Sequence, residues 1–158
     1  MKVFISHKKE DAAIALQIKR ALDANGVLAY LDLLDSNLVN EGKALTDHIK
    51  ENLNKCTDII VIMSENTKYS WWVPFEIGMS AQTDMPTASF LAESVALPSY
   101  LSYWPRLKSV KDVEAYIAVR NSVQKQIRTQ YGYRENAATK SMETATFYAE
   151  LKKRLSVR

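Results

Sequence analysis

The stretch IIVIM, residues 59–63, is an unbroken apolar run made mostly of β-branched residues. β-branched side chains favour extended backbone, and a strand that is apolar on both faces must be covered on both faces. Such a strand is typical of the middle of a parallel sheet with helices packed above and below it. The run therefore predicts an α/β fold with residues 59–63 at the centre of its sheet.

Strand and helix patterns alternate on either side of this run. Apolar segments predict further strands, and apolar spacings of three and four predict helices, the first of them ended by Asn25-Gly26. The strands are expected at residues 3–6, 27–31 and 87–91, and the helices at 11–25, 43–55, from Ser70 onward, 110–129 and 141–155. Residues 97–105 predict a packed loop or short helical turn, with Tyr100, Tyr103 and Trp104 covering the sheet edge. Alternating elements with short connections predict an open parallel sheet with helices on both faces.

Length and composition predict one globular domain. The 158 residues are 47% hydrophobic and 25% charged, with a core expected at about 2–91 and extra C-terminal helices at about 109–156. The net charge of +3 comes from Lys and Arg spread along the chain, which favours a solvated surface over a nucleic-acid interface. The single cysteine excludes an internal disulfide. The first strand follows Met1 closely and no apolar run approaches membrane-spanning length, so we expect a cytoplasmic protein without membrane contact.

Several kinds of chemistry are excluded by motif. The chain has no G-x-G-x-x-G dinucleotide fingerprint and no phosphate-binding P-loop. Two histidines and one cysteine cannot make a standard zinc site, so we expect no metal. Ser6 and His7 are neighbours on a strand end and point opposite ways, which disfavours a serine–histidine pair. We therefore expect no bound cofactor.

The least generic part of the sequence is SWWVPFEIG, residues 70–78. In open α/β sheets ligands bind beyond the carboxyl ends of the strands, which places residues 6–9, 32–42 and 64–76 around one crevice. Trp72 and Glu76 are four apart, so a helix puts them on one face. The indole could stack on a pyridinium, and the carboxylate could stabilise positive charge on a ribose carbon, contact the ribose hydroxyls or attack the anomeric carbon. A packing cluster with an acid near a helix N-terminus would give the same pattern.

Four motifs together resemble TIR domains in order and spacing over residues 2–91. They are VFISH at 3–7, NEGK at 40–43, DIIVIMS at 58–64, and Ser70-x-Trp72-x-x-x-Glu76. The resemblance implies a flavodoxin-like sheet and either NAD⁺ cleavage or signalling through TIR–TIR contact. This sequence departs from the family in having Val73 where many relatives have cysteine, and in a slightly longer loop at 32–42.

The resemblance also implies roles for individual residues. Glu76 matches the catalytic glutamate, and Trp72 matches the aromatic residue beside the nicotinamide. Ser6, His7 and Lys8, at the end of the first strand and in the first loop, match positions that bind the nucleotide. Asp32 ends the second strand near the ribose. Gly42 belongs to the BB loop, which gates the pocket and mediates assembly, so we expect self-association through residues 33–42.

The predicted function is cleavage of the nicotinamide–ribose bond of NAD⁺, giving ADP-ribose or a cyclic ADP-ribose signal. The chain resembles the stand-alone TIR proteins of Thoeris-type anti-phage defence, in which the nucleotide signal reaches a separate effector protein. Two alternatives stay open. One is a non-catalytic TIR adaptor or virulence mimic that works through TIR–TIR contact. The other is an enzyme like the nucleoside deoxyribosyltransferases, which also place a glutamate at a glycosidic bond.

Overall fold

The computed structural model describes residues 1–31, 42–67, 70, 72–92, 95–97, 99–132 and 136–157, and of Trp72 it describes the backbone only. The strands in these ranges are β1 Lys2–Ser6, β2 Leu28–Leu31, β3 Asp58–Met63, β4 Thr87–Leu91 and β5 Arg106–Leu107. The α-helices are α1 Ala12–Ala24, α2 Lys43–Asn54, α3 Trp72–Gln82, α4 Val110–Tyr131 and α5 Ala137–Ser156. Two short 3₁₀ turns complete these elements, Lys9–Asp11 between β1 and α1 and Ser99–Tyr103 between β4 and β5.

The strands pair in parallel in the order β2-β1-β3-β4-β5. This is the strand order of flavodoxin-like folds, with β3 in the centre. Every residue of β3 is buried, as the apolar run at 59–63 predicted. The predicted α/β class, with helices on both faces and extra C-terminal helices, is confirmed.

The side chains of β3 alternate between two hydrophobic layers. Ile60 and Ile62 belong to the layer under α1, α4 and α5. Ile59, Val61 and Met63 belong to the layer under α2 and α3. Because a strand's side chains alternate between faces, a strand apolar at every position serves both layers at once.

The structure differs from the sequence-based expectations near the C-terminal helices. The two-residue strand β5 was not predicted, since two residues are too few to show a period. The expected short turn is present, but Tyr100 and Tyr103 are more than half exposed, and the buried residue beside them is Leu101. The prediction that both tyrosines cover the sheet edge is therefore wrong, whereas Trp104 is partly buried and packs against both hydrophobic layers. Helix α5 starts at Ala137 instead of 141, because the Asn136 side chain caps it by accepting the Thr139 N–H at 2.8 Å.

A buried charged network joins the start of β3 to the C-terminal helices. Tyr116 Oη and Arg120 Nε each donate to Asp58 Oδ1 at 2.9 Å, and Arg120 Nη1 also pairs with Glu143. Burial raises the pKa of Tyr116 well above its ordinary value, and the Asp58 carboxylate raises it further. Burial alone would lower the pKa of Arg120, but the carboxylates of Asp58 and Glu143 outweigh it and the net pKa is raised. Arg120 therefore stays charged and holds the two carboxylates together.

No helix in the described part of the chain combines the length and the apolar character needed to cross a membrane.

Candidate active site

Two residues predicted for the site meet at the carboxyl edge of the sheet. Ser6 ends β1 and Glu76 lies in α3, and the Ser6 hydroxyl donates a hydrogen bond to Glu76 Oε2. The exposed fraction is 1% for Ser6 and 3% for Glu76. Residues that are 70 positions apart in sequence thus form one buried polar contact at the edge where open α/β sheets bind ligands.

The start of α3 explains how Glu76 reaches this edge. The Ser70 hydroxyl accepts the Val73 N–H at 3.4 Å, and Pro74 lies in the first turn, where a missing N–H costs no helical hydrogen bond. Val73 and Ile77 are buried against the sheet and hold the helix in place. Glu76 is the fifth residue of the helix, one turn after its first residue.

Trp72 and Asp32 are two further residues predicted for the site. Trp72 is the first residue of α3, one helical turn before Glu76, as the spacing predicted. Its side chain lies outside the described part of the structure, and so does the whole of Asp32. Their roles beside the nicotinamide and the ribose stay predictions.

Ser6 and His7, at the end of β1, have different hydrogen-bond partners. His7 is buried, and its Nδ1 lies 3.2 Å from the carbonyl oxygen of Ile5, to which it donates in the Nδ1–H tautomer. The Ser6 hydroxyl instead donates to Glu76, so the two neighbours have different partners. Lys8 is half-exposed and precedes the 3₁₀ turn Lys9–Asp11. Nucleotide binding by His7 and Lys8 stays a prediction.

The structure shows one polar cluster at this edge that the sequence did not predict. Asp11 is buried, with Ser64 Oγ donating to its Oδ2 at 2.7 Å and Asn66 Nδ2 donating to its Oδ1 at 3.0 Å. The contacts tie the loop after β1 to the loop after β3. The helix expected at 11–25 included Asp11, but Asp11 directly precedes α1 and makes no side-chain capping bond to it. Its partners lie more than 50 residues away, which no local pattern indicates.

Gly42 is the N-cap of α2, with φ +76° and ψ −119°. This backbone conformation is rarely adopted by residues with a side chain, which explains the glycine. Its carbonyl accepts the Thr46 N–H at 3.2 Å, so Gly42 fixes where the preceding loop enters the helix. The rest of the predicted BB loop, residues 33–41, lies outside the described structure.

A cavity of about 460 Å³ lies at the opposite, amino-terminal edge of the sheet. Its lining includes Thr57 and Pro86, which directly precede β3 and β4, together with residues of α4 and α5. Ser6 and Glu76 do not line it. The contact between Ser6 and Glu76 therefore places the candidate active site at the carboxyl edge, away from this cavity.

The arrangement could act on a glycosidic bond. A buried carboxylate held by a hydroxyl can stabilise positive charge on a sugar carbon or attack it. Within the described ranges, His, Cys, Asp and Glu side chains form no group of three or more that could hold a metal ion.

Comparison with known proteins identifies the family. The family model described as "TIR domain" matches residues 3–128, which is most of the chain. The chain belongs to the TIR domain family. The match includes Ser6 and the whole of β3 and α3, so this TIR domain carries the Ser6–Glu76 contact within the family's own region.

One curated relative of this TIR domain is named "Probable 3' cyclic ADP-D-ribose synthase ThsB'", from Bacillus cereus (strain MSX-D12). It is 27% identical over 79 residues, which is 48% of this chain and 41% of the relative. The aligned region thus spans about two-fifths of that protein's length.

Solved structures share the fold of this TIR domain. One is a 2-deoxyribosyltransferase from the psychrotolerant bacterium Bacillus psychrosaccharolyticus, with a TM-score of 0.57 and 12% identity. The likeness covers 72% of this chain and 90% of that one. At this identity, the comparison shows a common fold alone.

Proposed function

We propose that this TIR domain cleaves the nicotinamide–ribose bond of NAD⁺, with Glu76 as the catalytic carboxylate. The observation that carries the proposal is the buried contact of Glu76 with Ser6 at the carboxyl edge. A carboxylate kept in a buried site is costly unless it is hydrogen-bonded, and this one is held there by a hydroxyl from another element. Membership in the TIR domain family and the name of the Bacillus cereus relative both support NAD⁺ as the substrate.

The proposed reaction breaks the bond between the pyridinium nitrogen and the anomeric carbon of the ribose. The bonding electron pair leaves with nicotinamide, which becomes neutral, and positive charge develops on the ribose. Glu76 stabilises that charge, and the Trp72 ring stacks on the departing nicotinamide. In hydrolysis, water adds to the anomeric carbon and loses a proton, giving ADP-ribose.

In cyclisation, a nucleophile of the same ADP-ribose adds to the anomeric carbon in place of water and loses its proton. We favour this outcome, because the Bacillus cereus relative is named as a cyclic ADP-D-ribose synthase. Ser6, His7, Lys8, Asp32 and Gly42 are proposed to surround the substrate. NAD⁺ acts as substrate, with no separate cofactor.

The proposal extends to a biological role. A cyclic ADP-ribose product would act as a signal for a separate effector protein in anti-phage defence, in the cytoplasm where NAD⁺ is available. We also propose that residues 33–42 mediate self-association that completes the site. Membership in the TIR domain family supports this.

The experiment is to incubate the purified protein with NAD⁺ and separate the products by chromatography. We expect free nicotinamide with an equal amount of a cyclic ADP-ribose. Nicotinamide with linear ADP-ribose would indicate a hydrolase. A protein that releases no nicotinamide at any concentration, with or without phage-infected extract, would support the non-catalytic adaptor. Base exchange on 2′-deoxynucleosides under the same conditions would instead indicate deoxyribosyltransferase chemistry.

A further inference from the structure

The hydrogen bond between Ser6 and Glu76 joins two elements that are each held by the core. Ser6 ends β1, where it pairs in register with Val61 of the central strand. Glu76 belongs to α3, which is held by the buried side chains of Val73 and Ile77. Both ends of the contact are thus positioned by packing that does not depend on a substrate.

The neighbouring loops are held in the same way. Asp11, after β1, accepts hydrogen bonds from Ser64 and Asn66, after β3. The backbone N–H of Ser64 donates to Thr67 Oγ1 at 2.7 Å, which closes the turn after the strand. These polar contacts therefore hold the loops after β1 and β3 in place without a substrate.

A serine hydroxyl has one proton to donate. In this structure the Ser6 proton is directed to Glu76 Oε2. Ser6 therefore cannot donate to a bound nucleotide while it holds the carboxylate. This argues for a role through Glu76 in addition to, or in place of, the substrate contact expected from the sequence.

We propose that Ser6 is a positioning residue, whose hydroxyl holds one oxygen of the Glu76 carboxylate and keeps that carboxylate ionised and fixed in orientation. The inference rests on the proposed function, in which ionised Glu76 stabilises charge on the ribose. A hydrogen bond donated to a carboxylate favours its ionised form, so losing the donor makes the carboxylate easier to protonate.

The first test is the pH dependence of nicotinamide release by Ser6→Ala. We expect kcat/KM to fall about ten- to hundredfold, mostly through kcat, because a hydrogen bond to a charged group is lost. The acid limb of the pH profile should move up by about one pH unit. Ser6→Thr keeps a hydroxyl at this position and should restore the acid limb, even where its extra methyl group lowers stability.

Ser80→Ala is the matched control. Ser80 is buried on the same helix as Glu76, and its hydroxyl bonds the Ile77 carbonyl at 2.8 Å and the Thr87 hydroxyl at 3.1 Å. Removing it deletes a buried hydroxyl from α3 without touching the carboxylate. It should change stability and leave the acid limb in place. Equal shifts in Ser6→Ala and Ser80→Ala would overturn the proposal, as would a rise in KM with an unchanged pH profile.

A second measurement needs no activity. With ¹³C-labelled glutamate, the Glu76 carboxyl resonance is the one that Glu76→Gln removes. Its titration midpoint should be higher in Ser6→Ala than in the wild type, and unchanged in Ser80→Ala. An unchanged midpoint in Ser6→Ala overturns the positioning role. If the midpoint moves but the wild type releases no nicotinamide, the proposed function fails while the Ser6–Glu76 coupling stands.

Discussion

Replacing Arg120 by methionine should destabilise this TIR domain without changing its chemistry. Arg120 is buried between the carboxylates of Asp58 and Glu143, and the Asp58 side chain has no exposed surface. Methionine fills much of the same volume but leaves the Asp58 carboxylate in the core without its cation. Removing one partner of a buried ion pair costs about 3–5 kcal/mol.

The structure places the expected loss near the lower end of that range. The Glu143 side chain is 18% exposed and can turn toward solvent, and Tyr116 still donates to Asp58. We therefore expect a loss of about 3 kcal/mol in the free energy of unfolding, which is a large share of a typical stability of about 5–15 kcal/mol. For a domain of this size, that corresponds to a fall in Tm of roughly 6–12 °C.

Urea unfolding followed by circular dichroism measures the loss, and Lys125→Met is the matched control. Lys125 is an exposed cation on the same helix, so its removal should change stability by less than about 0.5 kcal/mol. Adding Asp58→Asn to Arg120→Met should cost less than the sum of the two single changes, because the pair interacts. The reasoning is refuted if Arg120→Met costs no more than Lys125→Met. The network is at the amino edge, so nicotinamide release per folded molecule should match the wild type.

Three further predictions concern the site, the loop and the core. Trp72→Ala should lower kcat/KM about ten- to hundredfold, because base–aromatic stacking is worth roughly 1–3 kcal/mol, and Trp71→Ala should lower it much less; equal losses would indicate packing instead. Gly42→Pro should reduce turnover and remove its dependence on protein concentration, because proline cannot adopt φ +76°, whereas flat specific activity in wild type and variant would contradict assembly through the loop. Burial raises the pKa of Tyr148 to about 12, above its ordinary value of 10.0. The folded state therefore favours the protonated tyrosine, and the free energy of unfolding falls as pH rises from 10 toward 12. This amounts to roughly 2–3 kcal/mol, and Tyr148→Phe should show a shallower fall in unfolding free energy between pH 10 and 11.5; identical slopes would contradict it.

The sequence predicted most of the fold because its strongest signals are local. The run at 59–63 has to be a central strand, and the apolar spacing at 110–129 predicted helix α4, in which Val113, Tyr116, Val123 and Ile127 are buried. Strand β5 escaped prediction because it owes its existence to pairing with β4, and two residues carry no period.

The candidate site was predicted in part for the same reason. Ser6 stands out because it ends a recognisable strand, and Glu76 because it lies near the start of a recognisable helix. The topology brings both to the carboxyl edge of the sheet. The hydrogen bond between them, and the contacts of Asp11 with Ser64 and Asn66, depend on loop geometry across more than 50 residues. Asp58 opens the motif at 58–64, and no local pattern indicates that it is the buried partner of Arg120 on a distant helix.

The measurement that tests the central claim most directly is nicotinamide release from NAD⁺ by Glu76→Gln. The matched control is Glu114→Gln, since Glu114 is also the fifth residue of its helix but is exposed on α4. We predict that Glu76→Gln unfolds cooperatively and loses on the order of a hundredfold or more in turnover, because charge stabilisation at the ribose is removed. Glu114→Gln should keep wild-type turnover. A folded Glu76→Gln variant that releases nicotinamide at the wild-type rate would contradict the assignment of Glu76 as the catalytic carboxylate.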